Sequence, residues 1–411
     1  MRTTPIIVSV VLPDGSEVDA GRLVASTVRG TQTATFTYLD SYLRDSRAYS
    51  LDPELPLVDW PTVTTNRSLF RCMFDSAPDR WGRALLQRDV HNRGKEAQRT
   101  LLDIDYLLGA RDEARQGALR YRYDGGEPLT AEGIPRSVAL PHLLSLADSM
   151  LVDEDLTVDL RDLIDAGSSL GGARPKASVW SGDQTLLLAK FPKTLTDEWD
   201  VPAWESVALN LAQKAGITVP QHSLVRVLDR NVLILSRFDR NGTRRIGYIS
   251  AITLVSGVDG DHSHGYADVA DYVESESYDP NADLPEIWRR AVYGLLISNT
   301  DNHLRNLGFL RETDGWRLSP AFDMNPNPIP AGFTTSVGFG NGVNTIADAL
   351  DWCEVFRLDR HEALLVLSDL VDTVSTWRQC AQAQNIPMRE ITLMVDAFES
   401  HRTKEAIDLL G

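Results

Sequence analysis

The chain has little from which to build a cross-linked, metal-clustered or membrane-spanning protein. Its 411 residues include only three cysteines. Cys72, Cys353 and Cys380 are scattered without metal-ligand spacing, which excludes a disulfide framework and fits a reduced, cytoplasmic compartment. The longest apolar runs, such as Val232-Leu233-Ile234-Leu235, fall far short of the about 20 residues a spanning helix needs. No extended apolar region follows Arg2, so no export is expected. Positive charge is in deficit, with Lys+Arg 41 against Asp+Glu 58 and a net charge of −17. That argues against a broad basic groove for nucleic acid, because phosphate neutralisation supplies most non-specific affinity. A partner that carries the DNA-binding surface stays compatible with it. The histidines form no zinc pattern; Asp259, Asp261, His262 and His264 resemble a metal site, but a polar, solvated loop accounts for them better. Internal repeats and low-complexity tracts are also lacking.

What is present is a globular composition with 43% hydrophobic residues, long enough for two or three domains. The most informative stretch is Asn299-Thr300-Asp301-Asn302-His303-Leu304-Arg305-Asn306, followed by Phe322-Asp323-Met324. It sets Asp301, His303 and Asn306 at Asp-x-His-x-x-Asn spacing, with a second carboxylate, Asp323, downstream. Phosphoryl transfer needs this set: one Asp accepts the proton of the attacking hydroxyl, while an Asn and a second Asp hold Mg²⁺ on the phosphates. Apolar runs on either side of Asp314-Gly315 predict a β-hairpin that returns Asp323 beside Asn306. Taken singly, Asp301 and Asn306 would more readily cap a helix or satisfy a turn; the set and its hairpin favour phosphoryl transfer.

Three further segments add to this. The small-residue loop Gly167-Ser168-Ser169-Leu170-Gly171-Gly172-Ala173-Arg174-Pro175-Lys176 offers backbone N–H groups to phosphate oxygens. It is not a Walker A loop, since Ala173-Arg174 stands where Lys-Ser/Thr is required. Lys190 ends an apolar strand, where an ammonium needs a partner; an ATP phosphate, Glu205 on the following helix, or solvent reached by snorkelling would each serve. Ser236-Arg237-Phe238-Asp239-Arg240 closes the predicted hairpin across Asp229-Arg230-Asn231 and is placed like a hinge whose backbone meets adenine. Arg237 and Arg240 equally suit salt bridges. Trp204, Val207, Ala208, Leu211 and Ala212 mark an amphipathic helix ending at Gly216. Asp79 is placed to cap a helix entered through Pro78 and Gly82. The loop at Gly125-Gly126-Glu127-Pro128 reads as a minor boundary. Two long helical patterns, over 360–383 and 389–410, close the chain.

These segments in order resemble the HipA-type serine kinases, toxin components of bacterial type II toxin–antitoxin systems. The resemblance spans nearly the full length and includes Leu55-Pro56-Leu57, Pro78-Asp79-Arg80-Trp81-Gly82-Arg83, Ile104-Asp105-Tyr106-Leu107-Leu108-Gly109 and Gly117-Ala118-Leu119-Arg120. It implies an α+β, two-lobed HipA-like kinase fold with a β-rich N-terminal part and an all-helical C-terminal lobe. Residues 1–115 would form the N-terminal module, 116–255 the rest of the N-lobe, and 256–411 the C-lobe. It further implies Asp301 as catalytic base, Asn306 and Asp323 as Mg²⁺ ligands, and Lys190 on ATP phosphate. His303 would line the site, the loop residues Ser169, Gly171, Gly172 and Ala173 would face the nucleotide, and the Ser236 and Phe238 backbones would hold adenine. Ser169 matches a loop serine that members phosphorylate on themselves; Arg174-Pro175 departs from the usual pair, which makes Ser168 a competing phosphosite. The implied partners are a small helix-turn-helix, HipB-like antitoxin that meets DNA, and a protein substrate in the translation machinery such as an aminoacyl-tRNA synthetase. A small-molecule or lipid kinase, and a non-catalytic corepressor scaffold for a DNA-binding antitoxin, are the alternatives.

Overall fold

Dense runs of Ile, Val and Thr make the first sheet. In the computed structural model, β1 (Ile6–Val11), β2 (Glu17–Val28), β3 (Thr31–Tyr38), β4 (Thr62–Val63) and β5 (Leu119–Tyr123) pair antiparallel in the order β4-β3-β2-β1-β5. Residues 5–28, 31–92, 100–126, 129, 134–152, 160–193, 196–340, 342 and 344–411 are described. Of the Gly125-Gly126-Glu127-Pro128 boundary, residues 127 and 128 lie outside them. β1 has neighbours on both edges and buries both faces from Ile6 to Val10. A bulge between Val8 and Ser9 shifts its register on β2, leaving Ala20 as the extra residue. Gly21 beside it makes room for β3, since a Cβ there would stand 2.7 Å from both Phe36 Cε2 and the Thr37 carbonyl oxygen.

A second sheet joins β6 (Lys176–Trp180), β7 (Leu186–Lys190), β8 (His222–Val227) and β9 (Arg230–Ser236) in the order β6-β7-β9-β8. Its turn is Leu228-Asp229, both at positive φ of 50° and 71°, as a two-residue type I′ connection requires. The expected turn at Asp229-Arg230-Asn231 is therefore shifted, with Arg230 and Asn231 already in β9. Ala177, Val179, Ala189, Phe191, Val232 and Ile234 of this sheet region share a buried core with Trp81, Leu85 and Leu86 of the helix Arg80–Asn92. The core also takes in Leu143, Leu144 and Ala147 of the helix Leu140–Val152, and Leu163 and Ile164 of the helix Arg161–Gly167. At about 1.5–3 kcal/mol for each large apolar side chain buried, this cluster is what fixes the helix of the N-terminal module to the sheet. Short strands β10 (Arg240–Asn241), β11 (Arg244–Arg245) and β12 (Tyr248–Ser250) follow.

The second part of the chain is helical apart from one hairpin, β13 (Gly308–Arg311) and β14 (Trp316–Leu318). Asp200 accepts the Ala203 amide (3.1 Å) to open the helix Val201–Lys214, and Gly216 ends it at φ +78°. Trp204, Val207, Ala208, Leu211 and Ala212 are all buried, as the periodicity predicts. The helix Pro280–Leu296 buries Ile287, Trp288, Ala291, Val292, Leu295 and Leu296, and Tyr293 donates its hydroxyl to the Ala208 carbonyl at 2.6 Å. The two long closing patterns are helical but interrupted. The first breaks between Arg360–Ser375 and Trp377–Ala383 at Thr376, whose hydroxyl bonds back to the Thr373 carbonyl at 2.7 Å. The second divides into Met388–Leu393, Val395–Phe398 and His401–Leu410.

Two compact units result: Met1–Thr196 with Val225–Ile249, and Asp197–Leu224 with Ser250–Gly411. They do not follow the three segments expected from the sequence. The amphipathic helix Val201–Lys214 belongs with the C-terminal helices, because its apolar face is covered by Tyr293, Trp377 and Phe398. The three cysteines are unpaired and buried. Among the described residues, no helix is long and apolar enough to cross a membrane.

Candidate active site

The candidate catalytic segment begins where the helix Pro280–Leu296 stops. Ser298 takes a left-handed φ of 52°, and its buried hydroxyl donates to the Ala397 carbonyl at 2.9 Å. Asn299 returns its amide to the Gly294 carbonyl (2.8 Å) and accepts the Asn325 amide on Oδ1 (3.3 Å). Asn327 donates to Thr300 Oγ1 at 2.9 Å. The segment bearing Asp323 is thus laced to the segment bearing Asp301. Asn302 supports it from below: its Oδ1 accepts the Thr334 and Thr335 amides at 3.0 and 3.1 Å, and its Nδ2 donates to the Thr335 carbonyl at 3.1 Å.

Asp301 is held out on this frame, its side chain 80% exposed, with His303 Nε2 3.7 Å from Oδ1. An exposed carboxylate on a braced backbone can meet a hydroxyl from outside. Asn306 donates Nδ2 to the Asp301 carbonyl at 3.1 Å, so its Oδ1 is the atom that could ligate a metal. The predicted hairpin is present. Phe309 pairs with Leu318, and the Ser319 amide reaches the Gly308 carbonyl at 2.8 Å. Asn306 therefore stands two residues before the hairpin's first strand and Asp323 five residues after its second. Asp323 adopts φ +56°, a backbone state that costs a non-glycine residue about 1–3 kcal/mol and concentrates at functional sites. One carboxamide oxygen and one carboxylate match the hard-oxygen preference of Mg²⁺, which keeps its remaining positions for water and phosphate.

Asp259 pairs with Arg305 at 3.2 Å, His262 Nδ1 lies 2.8 Å from the Thr334 carbonyl oxygen, and Asp261 binds Ser263. Among the described residues, no group of three His, Cys, Asp or Glu is placed to hold a metal.

The remaining candidates lie in the first unit. After the helix Arg161–Gly167, Ser168 and Ser169 are 0% and 2% exposed, and neither hydroxyl has a protein partner. Gly172 turns the loop at φ +78°, with Lys176 Nζ directly beside it. Lys176 and Lys190 face each other in register across β6 and β7, both buried. Directly opposed residues share a sheet face, so Lys190 stands on the same face as Lys176, whose ammonium lies beside the glycine turn. Ser236 pairs with Leu187 on β7, and the Arg237 amide reaches the Leu186 carbonyl at 3.0 Å. Glu205 lies in the other unit from Lys190.

Two features had no local signal in the sequence. The first is Asp239, expected only as part of a hinge. It is buried and accepts from Arg237 Nε and Nη2 (2.8 and 2.6 Å), Arg240 Nη1 (2.8 Å) and the Gly117 amide (2.8 Å). Burial alone would raise its pKa, but Arg237 and then Arg240 hold it well below the usual carboxylate range. Arg237 and Arg240 also donate to the carbonyls of Ala114 and Arg115, so the hinge is bolted to residues 114–117. The second is Asp79. It was expected to cap its own helix, yet Oδ1 takes only the adjacent Arg80 amide while Oδ2 takes the Gly172 amide at 3.2 Å. The sequence holds one clue to the bracing of the candidate catalytic segment: asparagine recurs at 299, 302, 306, 325 and 327.

Known proteins agree with this architecture. The HipA-like C-terminal domain family matches residues 168–393. Putative kinase Y4dM of Sinorhizobium fredii is 28% identical over 225 residues, covering 49% of this chain and 53% of that protein. Toxin YjjJ of Escherichia coli is 26% identical over 206 residues, covering 47% and 43%. A putative kinase of Haemophilus influenzae is 23% identical over 149 residues, covering 32% and 43%. The chain thus spans about half the length of the curated relatives it matches. HipA of Shewanella oneidensis MR-1, solved with HipB and operator DNA, has the same fold over 98% of this chain and 96% of its own, with a TM-score of 0.63 at 16% identity. With more than half its length matched by the domain family and the fold shared along the rest, the chain belongs to the HipA-like family.

Proposed function

We propose that this chain is an ATP- and Mg²⁺-dependent kinase that phosphorylates a serine or threonine of a protein, as the toxin of a toxin–antitoxin module. The observation that carries the reading is the exposed Asp301 on a braced turn, with Asn306 and Asp323 flanking one hairpin in sequence. Asp301 would take the proton of the attacking hydroxyl. Asn306 and Asp323 would hold Mg²⁺, which when bound neutralises charge building on the phosphates. Lys190 and the loop amides of residues 169–173 would bind phosphate oxygens, and the Ser236 and Phe238 backbones would hold adenine. His303 would keep Asp301 oriented. Neutralisation by fixed groups costs no reorganisation as charge moves in the transition state.

Ser169, with Ser168 as competitor, is the self-modification site in this reading. A phosphate adds nearly two negative charges, which a buried hydroxyl cannot accommodate with the loop in place. The partner would be a HipB-like helix-turn-helix protein that binds DNA, as HipB accompanies HipA and operator DNA in the structural relative. The protein substrate would be a translation component such as an aminoacyl-tRNA synthetase.

The test is Asp301→Asn. Transfer of γ-phosphate label to protein should fall by about 10²–10⁴-fold while Mg²⁺–ATP binding is kept. Near wild-type labelling would remove Asp301 from its role. Phosphoproteomics of cells expressing each form would identify the acceptor and any mark on Ser168 or Ser169.

A further inference from the structure

We infer that residues 78–83, in the N-terminal module, position the phosphate loop and thereby set affinity for ATP; the inference rests on the kinase reading above. Three hydrogen bonds hold the loop against this corner. The Trp81 amide donates to the Gly172 carbonyl at 2.9 Å, and the Gly172 amide donates to Asp79 Oδ2 at 3.2 Å. The Trp81 indole Nε1 donates to the Lys176 carbonyl at 2.9 Å. The first pair is reciprocal and works as a cap made across 93 residues of sequence. Trp81 lies in the first turn of the helix Arg80–Asn92, where backbone amides lack a partner within the helix. The loop supplies that partner, so undocking it would strip the helix end of its acceptor.

The approach is too close for side chains. A Cβ on Gly82 would stand 2.7 Å from the Ser168 carbonyl oxygen and 3.1 Å from that of Leu170. On the other side, a Cβ on Gly167 would stand 3.0 Å from Trp81 Nε1 and 2.9 Å from Leu85 Cδ1. One glycine on each surface is what lets the two backbones touch. Between them Ser168 and Ser169 are covered, with hydroxyls that have no protein partner. Phosphate binding by the loop and exposure of its serines therefore draw on one docking equilibrium. Asp79, Trp81 and Gly82 bias it from outside the site. They are positioning residues: they act through the loop backbone.

The experiment uses the full chain. Trp81→Phe keeps the ring but loses Nε1–H, Asp79→Ala removes the acceptor, Asp79→Asn keeps an acceptor oxygen, and Gly82→Ala intrudes on the loop. Mg²⁺–ATP affinity is read by calorimetry, loop amide exchange by deuterium uptake over residues 168–176, and global stability by thermal unfolding. Trp81→Phe and Asp79→Ala should weaken Mg²⁺–ATP binding about 2- to 10-fold, the range of one lost hydrogen bond, and speed loop exchange. Asp79→Asn should stay within about twofold of wild type. Gly82→Ala should act like Asp79→Ala, and if it fails to fold the other variants carry the test. Variants that bind Mg²⁺–ATP as wild type does, or bind it weakly with unchanged loop exchange, overturn the inference alone. A wild-type chain that binds no Mg²⁺–ATP overturns the kinase reading and the inference with it.

Discussion

Asp239→Asn is the perturbation whose cost the structure sets out most fully. The exchange keeps shape and removes one charge. Oδ2 receives three donors, Arg237 Nη2, Arg240 Nη1 and the Gly117 amide, while Oδ1 receives only Arg237 Nε. An asparagine must place its NH₂ at one of these positions. The less damaging choice is Oδ1, where Nδ2 meets one donor head-on and a charge-assisted bond worth about 1.5–3 kcal/mol is lost. The two guanidiniums, both nearly inaccessible to water, then lose their counter-charge. Breaking a buried pair from one side costs about 3–5 kcal/mol, and that is the expected loss in urea unfolding at neutral pH. The slope should not change, because the surface exposed on unfolding is the same. The pH dependence follows from the sign of the shift. The folded pKa of Asp239 is depressed, so its stabilisation is complete above the unfolded carboxylate value of about 3.9. It is lost as pH falls through the folded value. The gap between wild type and variant should therefore be constant from pH 5 to 8 and close only below about pH 4. A loss under about 1 kcal/mol, or a gap that narrows already near pH 6, would refute the reasoning.

Asn302→Ala removes the acceptor of two amides and the donor to Thr335. It should cost about 1–3 kcal/mol and lower phosphotransfer more than Mg²⁺–ATP binding; equal loss in both would argue for general unfolding. Lys190→Met should weaken Mg²⁺–ATP binding by about tenfold or more, as expected for a lost charge-assisted contact, and calorimetry giving an unchanged constant would take Lys190 out of the site. A fragment of residues 168–393 alone should be unfolded or aggregated by circular dichroism and size exclusion. A soluble fragment with a cooperative melt would contradict the packing described for β6–β9.

The legible parts of the site are those written over short spans. Asp301, His303 and Asn306 fall within six residues, and the return to Asp323 is announced by Asp314-Gly315 between two apolar runs. The amphipathic period over Val201–Lys214 was as plain, because every position on that face is buried. What sequence could not show is contact between distant groups: Asp79 with Gly172, Gly117 with Asp239, Asn302 with Thr334. For Asp79 and Asp239 the local chemistry suggested a nearer partner. Asp79 had a helix to cap, and Asp239 sat between two arginines that form an ordinary surface pair elsewhere. The break at Thr376 escaped the helical period because it depends on a hydroxyl choosing the Thr373 carbonyl, which leaves the apolar spacing intact.

The boundary of the matched domain at residue 168 is a boundary of sequence similarity, and the packing does not respect it. The sheet β6–β9 takes part of its core from Trp81, Leu85, Leu143, Leu144 and Leu163, all upstream of that point. At about 1.5–3 kcal/mol each, those five side chains alone supply roughly the 5–15 kcal/mol by which a folded domain is stable. The polar contacts lead the same way. Arg237, Arg240 and Asp239 find carbonyl and amide partners at Ala114, Arg115 and Gly117, and the glycine turn finds Asp79 and Trp81. Loop and hinge, the two segments assigned to phosphate and adenine, are thus each fastened to a different part of the first 120 residues. An N-terminal module that merely decorated the rest of the chain would have no reason to grip both. Its contacts are those of a frame that fixes the two segments, and in the proposed reading it would space them for one nucleotide.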